Sequence, residues 1–586
     1  MTQLPIVPTD SPPPGAAPPS IFNDVVGPVM RGPSSSHCAA SVRIGRLARA
    51  LMDGELTEAL VEFHPTGSLA TTHESQGSDM GLCGGLLGWD ATDARLVGSV
   101  RAVRDAGIDV RFRITDYPAS HPNTYRMTLR GGGREHRMTA LSVGGGMIRV
   151  TEVDGVELSL EGDCHETLVF LEAGDAVESV RAAVESILSE GGRATAAAGD
   201  RPTVVHPDDV LHRPGAGLDL LEIRGQAPLP AGTVSRIRRV PGVRAVRTLP
   251  PVLPVLSRRD VEVPFTSAAE LLRFAEVQAA AENERPAGGE DPDLHPLWRL
   301  AAEYEAARGG ITEDEVLARM VEIVDILERS LLDGLAGTEY GDRILPAQAP
   351  AFRAAVDGGS LLGADRRRGD LLNTMILYVT AFMEVKSSMG VIVAAPTAGS
   401  CGALPGACLA AAHRRAGLGV GEALGSDAAR EEAARAMLAA GIVGVFIAAD
   451  STFAAEVCGC QAETGAGAAM AAAALVHLGG GSTRQALAAS SMALQNTLGM
   501  ICDPVANRVE VPCLGRNVLG ASNALASANM ALAGMDPVIP LDEVIVTMYE
   551  VGQSLPHTLR CTALGGLSTT PTARRIEAGL GGAEHA

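Results

Sequence analysis

The sequence predicts an α+β multidomain chain: an N-terminal mixed α/β domain, a ferredoxin-like module in the middle, and an all-α C-terminal domain. Three observations lead there. The chain has 586 residues, too many for one core and suited to about three domains of ordinary size. Its apolar pattern changes near residues 160 and 260. Aromatic residues are only 3% of the chain, so the core must be built from Ala, Val, Leu and Gly, which favours closely packed helices.

Residues 1–20 are Pro-rich and are expected to form a disordered tail. They lack the basic and apolar regions of a signal peptide, which points to the cytoplasm, where thiols serve as ligands more readily than as disulfides. From 21 to 160 the pattern is mixed. A helix follows SSSHCAAS, with Val42, Ile44, Leu47, Ala50 and Leu51 on its apolar face, and strands are expected at 60–63, 110–114 and 125–129. Over 165–258, ETLVFLEA, LLEIRGQA and VRAVRTL read as strands and the intervening segments as helices. A βαββαβ order of this kind suggests a ferredoxin-like module. From 261 to 586, three- and four-residue apolar spacing predicts helices, among them SAAELLRFAEVQAAAENE and TEDEVLARMVEIVDILERSLLDGL, with a loop at 284–296 between them. The segment EEAARAMLAAGIVGVFIAA is apolar all round in its second half and predicts a central, buried helix.

Charge and hydropathy exclude several function classes. A net charge of −21 argues against nucleic acid, whose phosphates need a basic face. The longest apolar run, Ala436 to Ala449, is too short to span a bilayer, so no membrane partner is expected. A homodimer is expected on base rates for enzymes.

Cys460, Cys502 and Cys513 stand out among ten cysteines. They lie in GCQAETGAG, CDPVANRV and EVPCLGRN, Gly- or Pro-punctuated segments in which backbone can turn tightly around an object. Their spacings of 42 and 11 residues are not a compact ferredoxin-like run. Cys38, Cys83, Cys164, Cys401, Cys408 and Cys458 read as small buried hydrophobes.

The order GCQAE, CDPVANRVEVPC, RNVLGASNA and GGLSTTPT resembles the iron–sulfur L-serine dehydratases (L-serine ammonia-lyases). So do APTAGSCGALPG at 395–406, MYEVGQSLPHTLR at 548–560, GPSSSHCAASVRIGR at 32–46, HPNT at 121–124 and SVGGGMI at 142–148. The resemblance covers nearly the whole chain and implies a β part fused ahead of an α part. The domains then become a β-type domain, a middle module resembling the amino-acid-binding ACT domain, and a catalytic α-type domain. It implies a [4Fe–4S] cluster on Cys460, Cys502 and Cys513, with the fourth iron open to a small-molecule amino acid. It also implies conversion of L-serine to pyruvate and ammonia by Lewis-acid-assisted loss of the 3-hydroxyl.

The remaining motifs then acquire roles. Read alone, Ser34, Ser35, Ser36 and His37 are more simply an N-cap serine run with a structural histidine; the resemblance instead implies hydroxyls and a base gathered at a helix start. His121 is a second candidate base and Asn123 a substrate contact, or else the pair is part of a turn. Thr397, Gly399 and Ser400, with Gly67 and Ser68, read as N–H-rich loops for a carboxylate or a cluster sulfide. Arg516 and Asn517 would hold the cluster loop or the substrate carboxylate, Arg560 is a further anion candidate, and Asp503 is placed to orient the cluster loop.

Four positions depart from the family pattern. Gln76 stands where a histidine is usual, Lys386 and Asp450 where asparagines are, and Cys561 where a glutamate is. Lys386 is thereby a catalytic candidate, and Lys386 with Asp450 a candidate compensating ion pair; Cys561 is a candidate to approach the cluster. Two rival readings follow: a related lyase acting on threonine, cysteine or a modified serine, and a non-catalytic amino-acid sensor. A zinc or redox protein using the same thiolates is a third.

Overall fold

The structure, a computed structural model, describes residues 17–174, 177–197, 210–258, 261–281, 294–362 and 370–581. Most of the expected N-terminal tail, and most of the expected loop at 284–296, lie outside them. Residues 18–20, placed in that tail by sequence, are pinned instead: Tyr304 Oη donates to Pro19 O at 2.8 Å, Arg308 Nε to Pro18 O at 2.9 Å, and Ser20 Oγ to Glu305 at 2.5 Å. A helical turn, Ile21–Val25, follows and packs on the helix Asp427–Asp450.

The N-terminal part is a six-stranded sheet backed by helices. Its strands run in chain order from β2 (Glu58–Phe63) through β3 (Asp109–Ile114), β4 (Thr124–Gly131), β5 (Arg134–Gly144) and β6 (Met147–Val153) to β7 (Val156–Leu160). The spatial order is β3-β2-β4-β5-β6-β7, and only the β2–β3 pairing is parallel. Tyr125, Met127 and Leu129 alternate inward along β4 and bury against Ile44, Leu47 and Leu51 of the helix Ala40–Met52. The sequence pattern shows β2, β3 and β4 but not the meander β5–β7, whose first strand buries Ala140, Ser142 and Gly144 beside larger side chains.

The middle part has strands β8 (His165–Glu172), β9 (Val210–Arg213), β10 (Leu218–Gly225) and β11 (Val243–Leu249), with helices Val177–Ala197 and Ala231–Ile237 between them. Its spatial order is β11-β8-β10-β9, antiparallel throughout. The short β9 is the strand that the βαββαβ order requires and no sequence stretch announces.

From Ala268 onward the chain is helical, so the whole molecule mixes α and β. The helix Glu313–Ala336 opens on a reciprocal capping box between Thr312 and Glu315 and buries Val316, Met320, Val324, Leu327, Leu331 and Leu335 at helical spacing. The helix Ala466–Leu478 is the hub. Ala466 through Ala474 are buried, and small side chains let the helices Asp427–Asp450, Thr483–Gln495 and Cys513–Leu532 pack round it. The helix Asp427–Asp450 is long and apolar enough to cross a membrane, but its apolar half is enclosed by protein. One approach there is possible only because a side chain is missing: a Cβ on Gly444 would sit 2.1 Å from Val25 Cγ1. A final pairing joins the N-terminal part to the helical part. Strand β1 (Val29–Arg31) pairs antiparallel with β12 (Val391–Val393), register Val29↔Val393.

Candidate functional site

The thiols lie where the C-terminal helices begin and the loops cross between them. Cys460 follows Gly459 and precedes a helical turn, Gln461–Gly465, that runs into the hub helix. Cys502 is held by backbone: its N–H donates to Leu559 O at 2.8 Å, and its carbonyl accepts from Cys561 N–H at 3.1 Å. Cys513 is the first residue of the helix Cys513–Leu532, where N–H groups are free and partial positive charge gathers. Cys460, Cys502 and Cys561 touch within one buried cluster, and ligand atoms of Cys460, Cys502 and Glu463 lie within 4.8 Å of one another.

The electrostatics favour one thiolate. A hydrogen bond from Cys502, and then the Arg516 guanidinium 3.6 Å away, pull the Cys460 thiol below its usual range. Its partner Cys502 is pushed up by the same bond and by one to Cys561. Burial raises Cys513, partly countered by the charge of Lys386. Burial, with the charges of Cys460 and Glu456, holds the Glu463 carboxyl well above the ordinary carboxylate range. Glu463 Oε1 accepts from Thr397 Oγ1 at 2.8 Å, and a Cβ at Gly399 would meet that same oxygen at 2.7 Å. Thr397 Oγ1 in turn accepts from Ser400 N–H at 3.2 Å.

Arg516, Asn517 and Asp503 brace this group. Asp503 is 2% exposed; it accepts from Arg516 Nη2 at 2.7 Å and from Leu567 N–H at 2.8 Å, which ties the GGLSTTPT segment down. The Asn517 amide accepts from Gly402 and Ala403 N–H at 3.1 and 3.0 Å and donates to Gly399 O at 2.8 Å. Asp503 and Asn517 therefore hold loops.

The N-terminal part supplies the other wall. Ser35–Ala39 form a tight turn leading into Ala40–Met52. Ser35 Oγ accepts from Ala398 N–H at 3.2 Å, and Ser36 Oγ donates to Glu456 at 3.0 Å. His37 is fully buried, with Nδ1 3.0 Å from Ser34 Oγ and Nε2 2.8 Å from Thr72 Oγ1. Burial pushes it down to about 4, against the pull of Glu456, so its ring is neutral at pH 7. Gly67 and Ser68 turn beneath it; Ser68 N–H donates to Pro122 O at 3.1 Å and Ser68 Oγ to Cys561 O at 2.7 Å. His121 Nδ1 accepts from Asn123 N–H at 3.1 Å. The Asn123 side-chain amide is buried with neither N nor O partnered, and Glu456 Oε2 is unpartnered too. Glu456 accepts from the Ser36 hydroxyl at 3.0 Å, and the Asn123 backbone carbonyl accepts from Ser142 N–H at 3.0 Å, with Ser142 Oγ donating to Ser36 O at 2.6 Å.

Several expectations change. Lys386 and Asp450 form no ion pair: Lys386 Nζ is buried and donates to Val509 O, whereas Asp450 sits at an exposed helix end among the charges of Asp542 and Glu270. Three of the five Arg560 guanidinium N–H groups donate to the carbonyls of Leu555, Val457 and Gln553, which fixes the side chain against its own loop and Val457. Cys561 does approach the thiols. Sequence reasoning missed Glu456, Glu463 and Thr72; Glu463 stands three residues after Cys460 in GCQAE, a spacing that puts it over the same turn.

The profile of the serine dehydratase alpha chain family matches residues 275–568. A probable L-serine dehydratase alpha chain of Bacillus subtilis is 39% identical over 266 residues, 45% of this chain and 83% of that one. The L-serine dehydratase alpha chain of Peptoniphilus asaccharolyticus is 37% identical over 284 residues, 48% of this chain and 91% of that one. A probable L-serine dehydratase beta chain of Bacillus subtilis is 43% identical over 150 residues, 26% of this chain and 67% of that one.

Proposed function

The chain belongs to the serine dehydratase alpha chain family, and on that premise we propose that it is an iron–sulfur L-serine ammonia-lyase with both walls of its site in one polypeptide. The observation that carries the proposal is the meeting, at one buried junction, of converging thiols from the C-terminal part with a neutral histidine and hydroxyls from the N-terminal part. The donor chemistry suits an iron–sulfur group: soft thiolates on separate segments, a helix start and Arg516 to offset anionic charge. Cys460, Cys502 and Cys513 would hold it. When bound, a [4Fe–4S] cluster with one open iron supplies a Lewis acid that makes hydroxide a better leaving group.

The chain's own groups account for the rest. Glu456 Oε2, buried and unpartnered, pairs with the substrate ammonium, and the unpartnered Asn123 amide donates to the carboxylate. His37, neutral at pH 7, accepts the Cα proton at Nδ1 once the substrate displaces the Ser34 hydroxyl from it, while Nε2–H stays bonded to Thr72, whose own hydroxyl donates to Ser68 O. Loss of hydroxide gives aminoacrylate, which tautomerises and hydrolyses to pyruvate and ammonia. The 165–258 module is read as an amino-acid-binding ACT-like unit, supported by its β11-β8-β10-β9 order. A second reading, a lyase for another β-substituted amino acid, is favoured by Gln76 and Cys561, two departures that touch each other at the site, Nε2 to Sγ at 3.6 Å.

Anaerobic reconstitution with iron and sulfide, followed by pyruvate and ammonia release from L-serine beside Cys502→Ala, tests the proposal. Turnover by the wild type alone supports it. A brown protein that leaves L-serine untouched and turns over threonine or cysteine selects the second reading.

A further inference from the structure

A cavity of about 570 Å³ opens where all three parts of the chain meet, and no residue of the thiol loops lines it. Its walls come from the helix Ala40–Met52, from residues 251–254 that leave β11, and from the helix Glu313–Ala336. The walls are tied in place. Val252 and Leu253 N–H both donate to Gly162 O, at 2.7 and 3.1 Å. The Asn23 side chain clasps Val255, accepting from its N–H at 2.9 Å and donating to its carbonyl at 2.7 Å. Residues 251–254 are thus held at both ends, so the space is preformed and little ordering is needed to fill it. Pro28, Pro251 and Pro254 have no N–H to satisfy and leave that side of the cavity apolar.

The charged lining is out of balance: three arginines, Arg43, Arg46 and Arg319, stand against Asp90 and Glu322. Arg46 is already paired with Asp90. Arg43 is 5% exposed; it donates to Gly146 O and Met147 Sδ, and Asp24 acts on it by charge without a hydrogen bond. Arg319 has no hydrogen-bond partner among the described residues, and Glu322 is exposed at the rim. At about 30 Å³ for each water-sized position, the space admits a molecule of up to about twenty non-hydrogen atoms.

We propose that this cavity binds a small carboxylic acid with an apolar body, its carboxylate held by Arg43 and Arg319. The site is separate from the thiols but linked to them. His37 lies six residues before Arg43, about 9 Å along the helix axis. Arg43 also holds Gly146 in the turn between β5 and β6, and Ser142 of β5 donates to Ser36 O. An anion that draws on Arg43 therefore acts on both supports of the wall that carries Ser36 and His37. The binding itself does not depend on the cluster reading.

The test uses the full chain and three probes of one shape: phenylacetate, L-phenylglycine and the neutral phenylacetamide. Calorimetry reads affinity, and hydrogen exchange reads the place of binding. Phenylacetate is expected to bind with a Kd below about 1 mM and to protect residues 42–46, 251–254 and 319–323. Its affinity is expected to fall about 10- to 100-fold in Arg319→Gln and in Arg43→Gln, and phenylacetamide to bind as poorly as the variants bind phenylacetate. L-Phenylglycine separates two sources of the carboxylate. Binding tighter than that of phenylacetate, with the advantage lost in Glu322→Gln, upholds the site and assigns it an α-amino acid; equal or weaker binding upholds it and assigns a plain carboxylic acid. Arg319 makes no internal hydrogen bond, so Arg319→Gln keeps the test open if Arg43→Gln does not fold. Absence of heat from every probe at about 10 mM, equal affinity for the amide, unchanged affinity in Arg319→Gln, or protection confined to the loops around Cys460, Cys502 and Cys513 overturns the proposal.

Discussion

Asp503→Asn tests whether the brace behind the thiols is worth what its geometry implies. The substitution keeps the volume and removes the charge. Asp503 is 2% exposed and its partner Arg516 has 17% of its side chain exposed, so little water can replace the lost pairing. Breaking a buried pair from one side leaves an uncompensated charge and costs about 3–5 kcal/mol. The Leu567 N–H, 2.8 Å from Oδ2, retains an acceptor only if the new amide turns its oxygen that way, which would point its NH₂ group at the Arg516 cation. Spread over the roughly 300 residues of the helical part, at about 2.1 cal/mol/K each, that loss lowers the melting temperature by about 5–8 °C. The assay is thermal unfolding of the apo protein followed by far-ultraviolet circular dichroism, with Arg516→Met and the double variant completing a cycle. The double variant is expected to lose less than the two singles summed, because each single leaves the other charge stranded. A shift below about 2 °C for Asp503→Asn, or simple additivity, would refute the reasoning.

Other perturbations reach different parts of the molecule. His37 is held near 4 in the folded chain against an unfolded 6.5; between those values the unfolded chain binds more protons, so stability falls as pH drops through that window, by at most about 3 kcal/mol. His37→Gln should flatten that limb in denaturant titrations from pH 7 to pH 4. Gly444→Ala gains about 1 kcal/mol of helix propensity and loses about 1–3 to the clash with Val25; hydrogen exchange of residues 21–26 should rise, and Val25→Ala in the same chain should reverse it. Glu456→Gln and Asn123→Ala should each raise KM about 10- to 100-fold, the worth of a hydrogen bond to a charged group, with little change in the anaerobic iron content. An iron content that fell with KM would mean these residues support the cluster instead.

What could be read from sequence follows a physical line. Long helices such as Glu313–Ala336 announce themselves by period and cap, and β4 by alternation, because those signals lie within one element. The four-residue β9 is too short to show alternation, and β5 breaks its pattern by burying Ala140, Leu141 and Ser142 in succession. At the site, motifs drew attention to Cys460, Cys502 and Cys513, but partner choice across the fold was invisible. Lys386 reaches the carbonyl of Val509, between Cys502 and Cys513, and not Asp450, and Arg560 bonds the carbonyls of Leu555, Gln553 and the distant Val457. Gln76 and Cys561 are 485 residues apart in sequence and in contact in space. Such pairings depend on which loops the packed helices bring face to face, and no local period encodes that.

The pairing of β1 with β12 carries a kinetic consequence. Residues some 360 positions apart share a two-stranded sheet, and Ser35, Ser36 and Ser68 of one wall bond to Ala398, Glu456 and Cys561 of the other. If those walls were separate molecules, the fraction of complete sites would fall on dilution toward their dissociation constant. On one chain each wall sees the other at an effective concentration that tethering sets at about millimolar. Site assembly then becomes a first-order folding event, indifferent to how much of the protein is present, and activity per molecule should hold constant down to the most dilute assay.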